Sequence, residues 1–130
     1  MFSTSDALKS FAAMFNDLDS KHIEDYLNDD FCYSSQMVFD EIRGKTKYLG
    51  YIDAKLEAIK NSGLKVFAEL AISGAGQEPN CLVMAQGDVE NLVATVFIEL
   101  KDGLINRADM CVVPSPFDVH RTHVYPKVEV

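Results

Sequence analysis

The chain has 130 residues, 48% of them hydrophobic, and a formal net charge of −8 at pH 7. That length and apolar content suit one domain with its own core. The acidic balance argues against a surface built to release counterions from nucleic acid and against adhesion to an anionic membrane, and no apolar run approaches the roughly 20 residues of a membrane span.

The opening MFSTSDALKSFAAMF lacks a basic n-region and carries Asp6 and Lys9 inside its apolar run, so it does not read as a secretory signal. Cys32, Cys81 and Cys111 are far apart, odd in number and without the spacing of a zinc site. The expectation is buried, reduced thiols and a cytoplasmic protein.

Ser3, Thr4, Ser5 and Asp6 are N-cap residues, and after them Leu8, Phe11, Ala12, Phe15 and Leu18 recur at helical spacing. Asp19 or Ser20 caps a short second helix with Ile23, Tyr26 and Leu27 inward, which Asn28-Asp29-Asp30 ends. Phe31, Tyr33 and Ser35 then alternate with Cys32, Ser34 and Gln36, the period of a strand. Gly44 precedes a third helix with a buried stripe of Leu49, Ile52, Leu56 and Ile59 and an amphipathic strip of Tyr48, Tyr51 and Lys55 beside it. Gly63 suits the left-handed residue that closes such a helix. Four strands follow, over residues 64–73, 81–86, 92–100 and 104–113, joined by short Gly-, Asp- and Asn-containing turns that favour antiparallel hairpins. Pro114 and Pro116 end the last strand, and residues 117–130 form a tail without a period, loose or packed on a partner.

Helices first and strands second imply an α+β domain over residues 1–116: three N-terminal helices packed on a curved, mostly antiparallel sheet, a cystatin-like cone with a pocket inside. Two short helices, the NDDF-x-Y strand, a Gly before a long helix and a four-strand meander with a DG turn resemble the nuclear transport factor 2-like superfamily. FAAMFN at residues 11–16, with Asp19, Ile23 and Asp29-Asp30, resembles the opening of ketosteroid isomerases and SnoaL-like polyketide cyclases. The segment over residues 35–45, with Gln36, Val38-Phe39 and Gly44, resembles superfamily members without an assigned activity.

The resemblance implies a cone-shaped pocket for a small apolar molecule and homodimers through the outer sheet face. It also allows a test of activity. Ketosteroid isomerisation needs a carboxylate base and two acidic donors for the oxyanion. Counted without gaps from Asp29-Asp30, the positions of the oxyanion Tyr and the base Asp fall on Phe11 and Ser35; counted back from Gly103, the second donor falls near Thr95 or Val96. None of these has the required group, so that reaction is not expected. The acid–base Asp of SnoaL-like cyclases falls near Met110, with Asp109 one residue out of register and therefore on the other face.

The remaining candidates for chemistry are few. Tyr33 offers a hydroxyl to a ligand carbonyl, or fills core with that hydroxyl on backbone or water. Asp109 serves as a base if it is buried beside Tyr33, or pairs with Arg107 on the outer face. The pocket is expected to be lined by Phe11, Phe15, Tyr33, Ser35, Phe39, Tyr51, Lys55, Thr95, Phe97 and Met110, with Tyr48, Tyr51 and Lys55 at its rim, where a basic group beside aromatics suits a carboxylate or phenol-like ligand. Gln86 is a candidate polar pocket group or an ordinary strand end. Glu69 and Glu99 read as exposed strand residues. His120-Arg-Thr-His123 lacks the three or four convergent ligands of a metal site, and no metal or cofactor is expected. An apolar outer face, with Val93, Val96, Ile98, Ile105 and Cys111, calls for cover by a second copy.

The reading is a small-molecule-binding protein without an assigned ligand. The alternatives are a cofactor-independent isomerase, cyclase or hydrolase/hydratase using Asp109 with Tyr33, and a protein-interaction module using the outer sheet face.

Overall fold

A computed structural model describes residues 2–38 and 40–127. Among these, the chain forms three helices and seven strands. Helix α1 (Thr4–Asp17) begins in a capping box: the Ser3 hydroxyl accepts from the Asp6 amide at 3.1 Å, and the Asp6 carboxylate accepts from the Ser3 amide at 2.9 Å. Its buried face carries Leu8, Phe11, Ala12, Met14 and Phe15. Helix α2 is a single turn, Lys21–Glu24. Tyr26 is therefore outside it, and its ring stacks on Phe2 with centroids 4.4 Å apart.

Strand β1 (Leu27–Ser35) starts earlier than the alternation at Phe31 suggests, and β2 (Ile42–Arg43) pairs back on it. Helix α3 (Lys45–Ser62) ends at Gly63, whose φ of 73° suits glycine. Its fully buried stripe is Tyr48, Ile52 and Leu56, with Leu49 and Ile59 half-buried on the flanks. The stripe is thus rotated by one position toward the large aromatic ring.

Strands β3 (Val66–Ile72), β4 (Cys81–Gln86), β5 (Leu92–Lys101) and β6 (Leu104–Cys111) form the meander, and β7 (His120–Arg121) lies beyond it. The sheet order is β2-β1-β6-β5-β4-β3-β7, antiparallel except for the parallel pair β1–β6. The β5–β6 hairpin turns on Asp102 and Gly103, both at positive φ (55° and 77°), the backbone that matches strand twist in a two-residue loop. Irregular pairing after Met84 and after Glu99 bends the sheet. All three helices contribute to one core against its concave face. The architecture is the α+β cone that the order of patterns predicts.

The tail, as far as residue 127, is docked on its own domain. The Thr95 hydroxyl donates to the Pro114 carbonyl at 3.0 Å, Pro116 is buried, and Val119 packs against the convex-face cluster of Ala71, Cys81 and Val83. Strand β7 then pairs with β3 at the sheet edge. The anchor is Glu69, which is 1% exposed rather than a surface strand residue. Its carboxylate accepts from Arg121 Nε at 2.9 Å, the His123 amide at 2.7 Å and the Tyr125 hydroxyl at 3.1 Å. Further on, the Pro126 carbonyl accepts from Asn16 Nδ2 at 2.7 Å, tying the tail to α1. Part of the apolar convex face assigned to a second copy is thus covered by this segment.

Candidate functional site

Strand pairing decides which side chains enter the cone. Tyr33 pairs with Ala108 and Ser35 with Met110; Met110 pairs in turn with Val96, and Ala108 with Ile98. These residues face the helices. Deep in the cone, rings fill the space: Phe11 lies 6.4 Å from both Phe31 and Tyr48, and 6.5 Å from Phe15. Tyr33, Tyr48 and Tyr51 form a mutual cluster with centroids 5.3, 5.8 and 6.2 Å apart. Tyr48 is not at the rim but fully buried, because its position on α3 points at β1.

The chemistry of this cluster is that of donors. Burial, and secondarily the neighbouring Tyr51, raises the Tyr33 phenol well above its ordinary range; burial and its two tyrosine neighbours do the same for Tyr48. Both stay protonated at neutral pH. Tyr33 donates weakly to the Met110 sulfur at 3.8 Å. The Tyr48 hydroxyl is buried without a partner among the described residues. The Ser35 hydroxyl accepts from the Met37 amide at 3.2 Å, so it serves the backbone of the β1–β2 connection.

Above Met110 the cone opens into a cavity of about 320 Å³. Phe15 from α1, Lys55 and Ile59 from α3, and Met84, Ala94 and Met110 from the sheet are among its walls. Lys55 Nζ stands 5.8 Å from the Tyr51 ring centroid. No carboxylate lines the cavity among the described residues. Two larger hollows, of about 440 and 600 Å³, flank the tail near Tyr125 and Lys127; both open more widely to solvent.

Asp109 lies on the other side of the sheet. It pairs with Ser34, one residue along from Tyr33, and alternation turns both outward. There Arg107 Nε donates to both Asp109 carboxylate oxygens at 3.0 Å, Arg107 also meets Glu41 at 2.9 Å, and the Ser34 hydroxyl bonds Asp109. Asp109 therefore cannot act as a base beside Tyr33. Thr95 and Phe97 are likewise corrected: they pair with Cys111 and Asp109, and Phe97 packs on the convex cluster. Val96, Ile98 and Ile105, read as outer-face residues, belong to the inner core. Three-residue spacing of the inward Ile105 and Ala108 reflects the irregular pairing near Glu99. Phe39 lies outside the described residues.

Of the expected pocket residues, then, Phe15, Lys55 and Met110 line the cavity, while Phe11, Tyr33, Ser35 and Tyr51 lie on the cone side without lining it. Met37, Ile59, Val66, Met84, Ala85 and Ala94 were missed, and Val93, read as an outer-face residue, lines the cavity as well. Their signal was available in part: on antiparallel strands Met110, Val96, Ala94 and Met84 form one inward series once Met110 is placed inward. Among the described residues no three His, Cys, Asp or Glu side chains are grouped to hold a metal ion. Nor, among the described residues, is any helix long and apolar enough to cross a membrane.

No family model matches the chain, and no curated protein matches it in sequence. Solved structures do match. An NTF2-like protein of unknown function from Cytophaga hutchinsonii is 15% identical, with a TM-score of 0.56 over 88% of this chain and 95% of its own. A SnoaL-like protein of unknown function from Burkholderia thailandensis is 16% identical, with a TM-score of 0.57 over 92% and 93%. A cystatin-fold protein from Novosphingobium aromaticivorans is 17% identical, with a TM-score of 0.56 over 85% and 98%. With its three helices, its curved sheet and these neighbours, the chain has the nuclear transport factor 2-like, SnoaL-like cone fold.

Proposed function

We propose that the protein binds a small, largely apolar molecule in the cavity at the cone mouth. The observation that carries this reading is the lining itself: a partly open space of about 320 Å³, walled mainly by aliphatic, thioether and aromatic groups from both helices and sheet. That volume is at the small end of ligand pockets, roughly 300–1,000 Å³, and calls for a compact ligand. Binding is favoured over an isomerase, cyclase or hydratase because, among the described residues, the cavity wall offers no carboxylate or imidazole to take a proton. The Tyr33 and Tyr48 phenols are held protonated, and Asp109 is engaged with Arg107 behind the sheet.

The test uses the neutral dye N-phenyl-1-naphthylamine, whose fluorescence rises in apolar surroundings. One dye is expected to bind per chain. Val66→Phe, which fills the half-buried cavity wall, is expected to reduce binding at least tenfold while leaving the far-UV spectrum unchanged. Dye binding that is absent, or indifferent to Val66→Phe and to Ala94→Leu, refutes the reading.

A further inference from the structure

We infer that the ligand of this cavity carries a carboxylate at one end, received by Lys55 and Gln86; the inference rests on the cavity being the ligand site. Among the described residues, these two are the polar side chains in a lining that is otherwise apolar or aromatic. They come from separate elements, Lys55 from α3 and Gln86 from the end of β4. The fold, not local sequence, brings them to one opening.

Among the described residues, neither side chain has an ion-pair or hydrogen-bond partner. Lys55 is half-buried over the Tyr51 ring and meets no carboxylate among the described residues. The same holds for the other described lysines, and what sets Lys55 apart is its place in the lining of this cavity. Arg43, Arg107 and Arg121, by contrast, each hold at least one acid within 3.2 Å. The Gln86 backbone is engaged at both ends, its amide to Asn91 O at 3.1 Å and its carbonyl from Asn91 Nδ2 at 2.8 Å. Its side chain is exposed at the strand end and has no partner among the described residues. An ammonium and an amide at the opening of an apolar space thus offer several N–H donors and one positive charge.

A carboxylate satisfies both, since an acceptor-only anion takes charge-assisted hydrogen bonds from the ammonium and a neutral one from the amide. A neutral alcohol uses the amide but leaves the charge unanswered. An amine is repelled. The apolar body below the carboxylate would lie against Phe15, Met84, Ala94 and Met110.

Amide-resolved NMR titration with octanoate, octan-1-ol and octylammonium reads both site and affinity. Octanoate is expected to shift cavity residues and to bind about tenfold more tightly than octan-1-ol, the size of one charge-assisted contact. Octylammonium should bind more weakly than either. In Lys55→Met the advantage of octanoate should shrink to within about twofold while octan-1-ol binding persists; Lys55→Arg should retain it. Equal affinities for octanoate and octan-1-ol in the unaltered protein, or an octanoate preference that survives Lys55→Met, overturn the carboxylate inference and leave the cavity as a ligand site. If none of the three shifts cavity residues, both the inference and the binding function fall.

Discussion

Tyr33 and Asp109 lie one register step apart on the paired strands β1 and β6, and on opposite faces of the sheet. That relationship separates a phenol donor of the cone from the acid that strand register places beside it. Asp109 belongs instead to a convex-face network with Arg107, Glu41 and Ser34. Asp109→Asn should lower stability by about 1 kcal/mol, since the pair is partly exposed, and should leave dye binding in the cavity unchanged. Urea denaturation and the dye titration check the two halves; a loss of binding without a loss of stability would restore Asp109 to the site.

Glu69 fastens the tail from inside. Its loss leaves the His123 amide and the Tyr125 hydroxyl without their acceptor, while Arg121 keeps Glu90 at 2.8 Å; a hydrogen bond to a charged group is worth about 1.5–3 kcal/mol. Glu69→Ala should therefore cost about 3 kcal/mol and expose the amides of the β3–β7 edge to hydrogen exchange. Glu99→Ala, on an exposed strand position, should cost little. Similar losses at both sites would show that burial of Glu69 is not what matters.

Tyr48 inverts the usual outcome of removing a buried hydroxyl. A buried polar group without a partner costs about 1–3 kcal/mol, so Tyr48→Phe is expected to be neutral or to stabilise by about 1 kcal/mol. Equilibrium unfolding in urea decides it, and a clear destabilisation would mean that the hydroxyl has a partner in solution.

The same tyrosines set an alkaline limit. Folding raises the Tyr33 and Tyr48 phenols above their ordinary value of 10.0. Above that pH the unfolded chain has released these protons while the folded chain retains them. Stability is thus fully present below about pH 10 and is lost as pH rises toward the folded values. Replacing both with Phe should flatten the loss, measured as the denaturation midpoint between pH 8 and about pH 11. An unchanged slope would contradict the burial of these phenols.

The thiols should be slow. Burial pushes Cys81 up to about 11, and raises Cys111 and Cys32 as well, with Glu41 adding to the effect at Cys32. With the thiolate as the reacting form, Cys81 should react with a disulfide reagent at pH 8 only on unfolding, and half-buried Cys32 first. Rapid labelling of all three in the native protein would contradict this.

Much of the fold was legible because its signals are local. The Ser3–Asp6 cap, the Gly63 stop and the Asp102-Gly103 turn each act through their own backbone neighbours. The site was only half legible. Phe15, Lys55 and Met110 were identified as lining residues, but Thr95 and Phe97 were placed on the wrong face. Alternation along β5 is unambiguous, yet both of its faces are apolar, so hydrophobicity alone does not say which one turns inward.

The residues by themselves determined a helix-then-strand order and hence the cone, because capping, periodicity and turn chemistry are short-range. Only tertiary structure decided what the cone contains. A parallel β1–β6 pair sent Asp109 outward, irregular pairing near Glu99 brought Ile105 and Ala108 to the same core, and Glu69 drew the unpatterned tail onto the sheet edge. Each outcome depends on which strand a residue meets across the sheet, a contact between residues far apart in the chain.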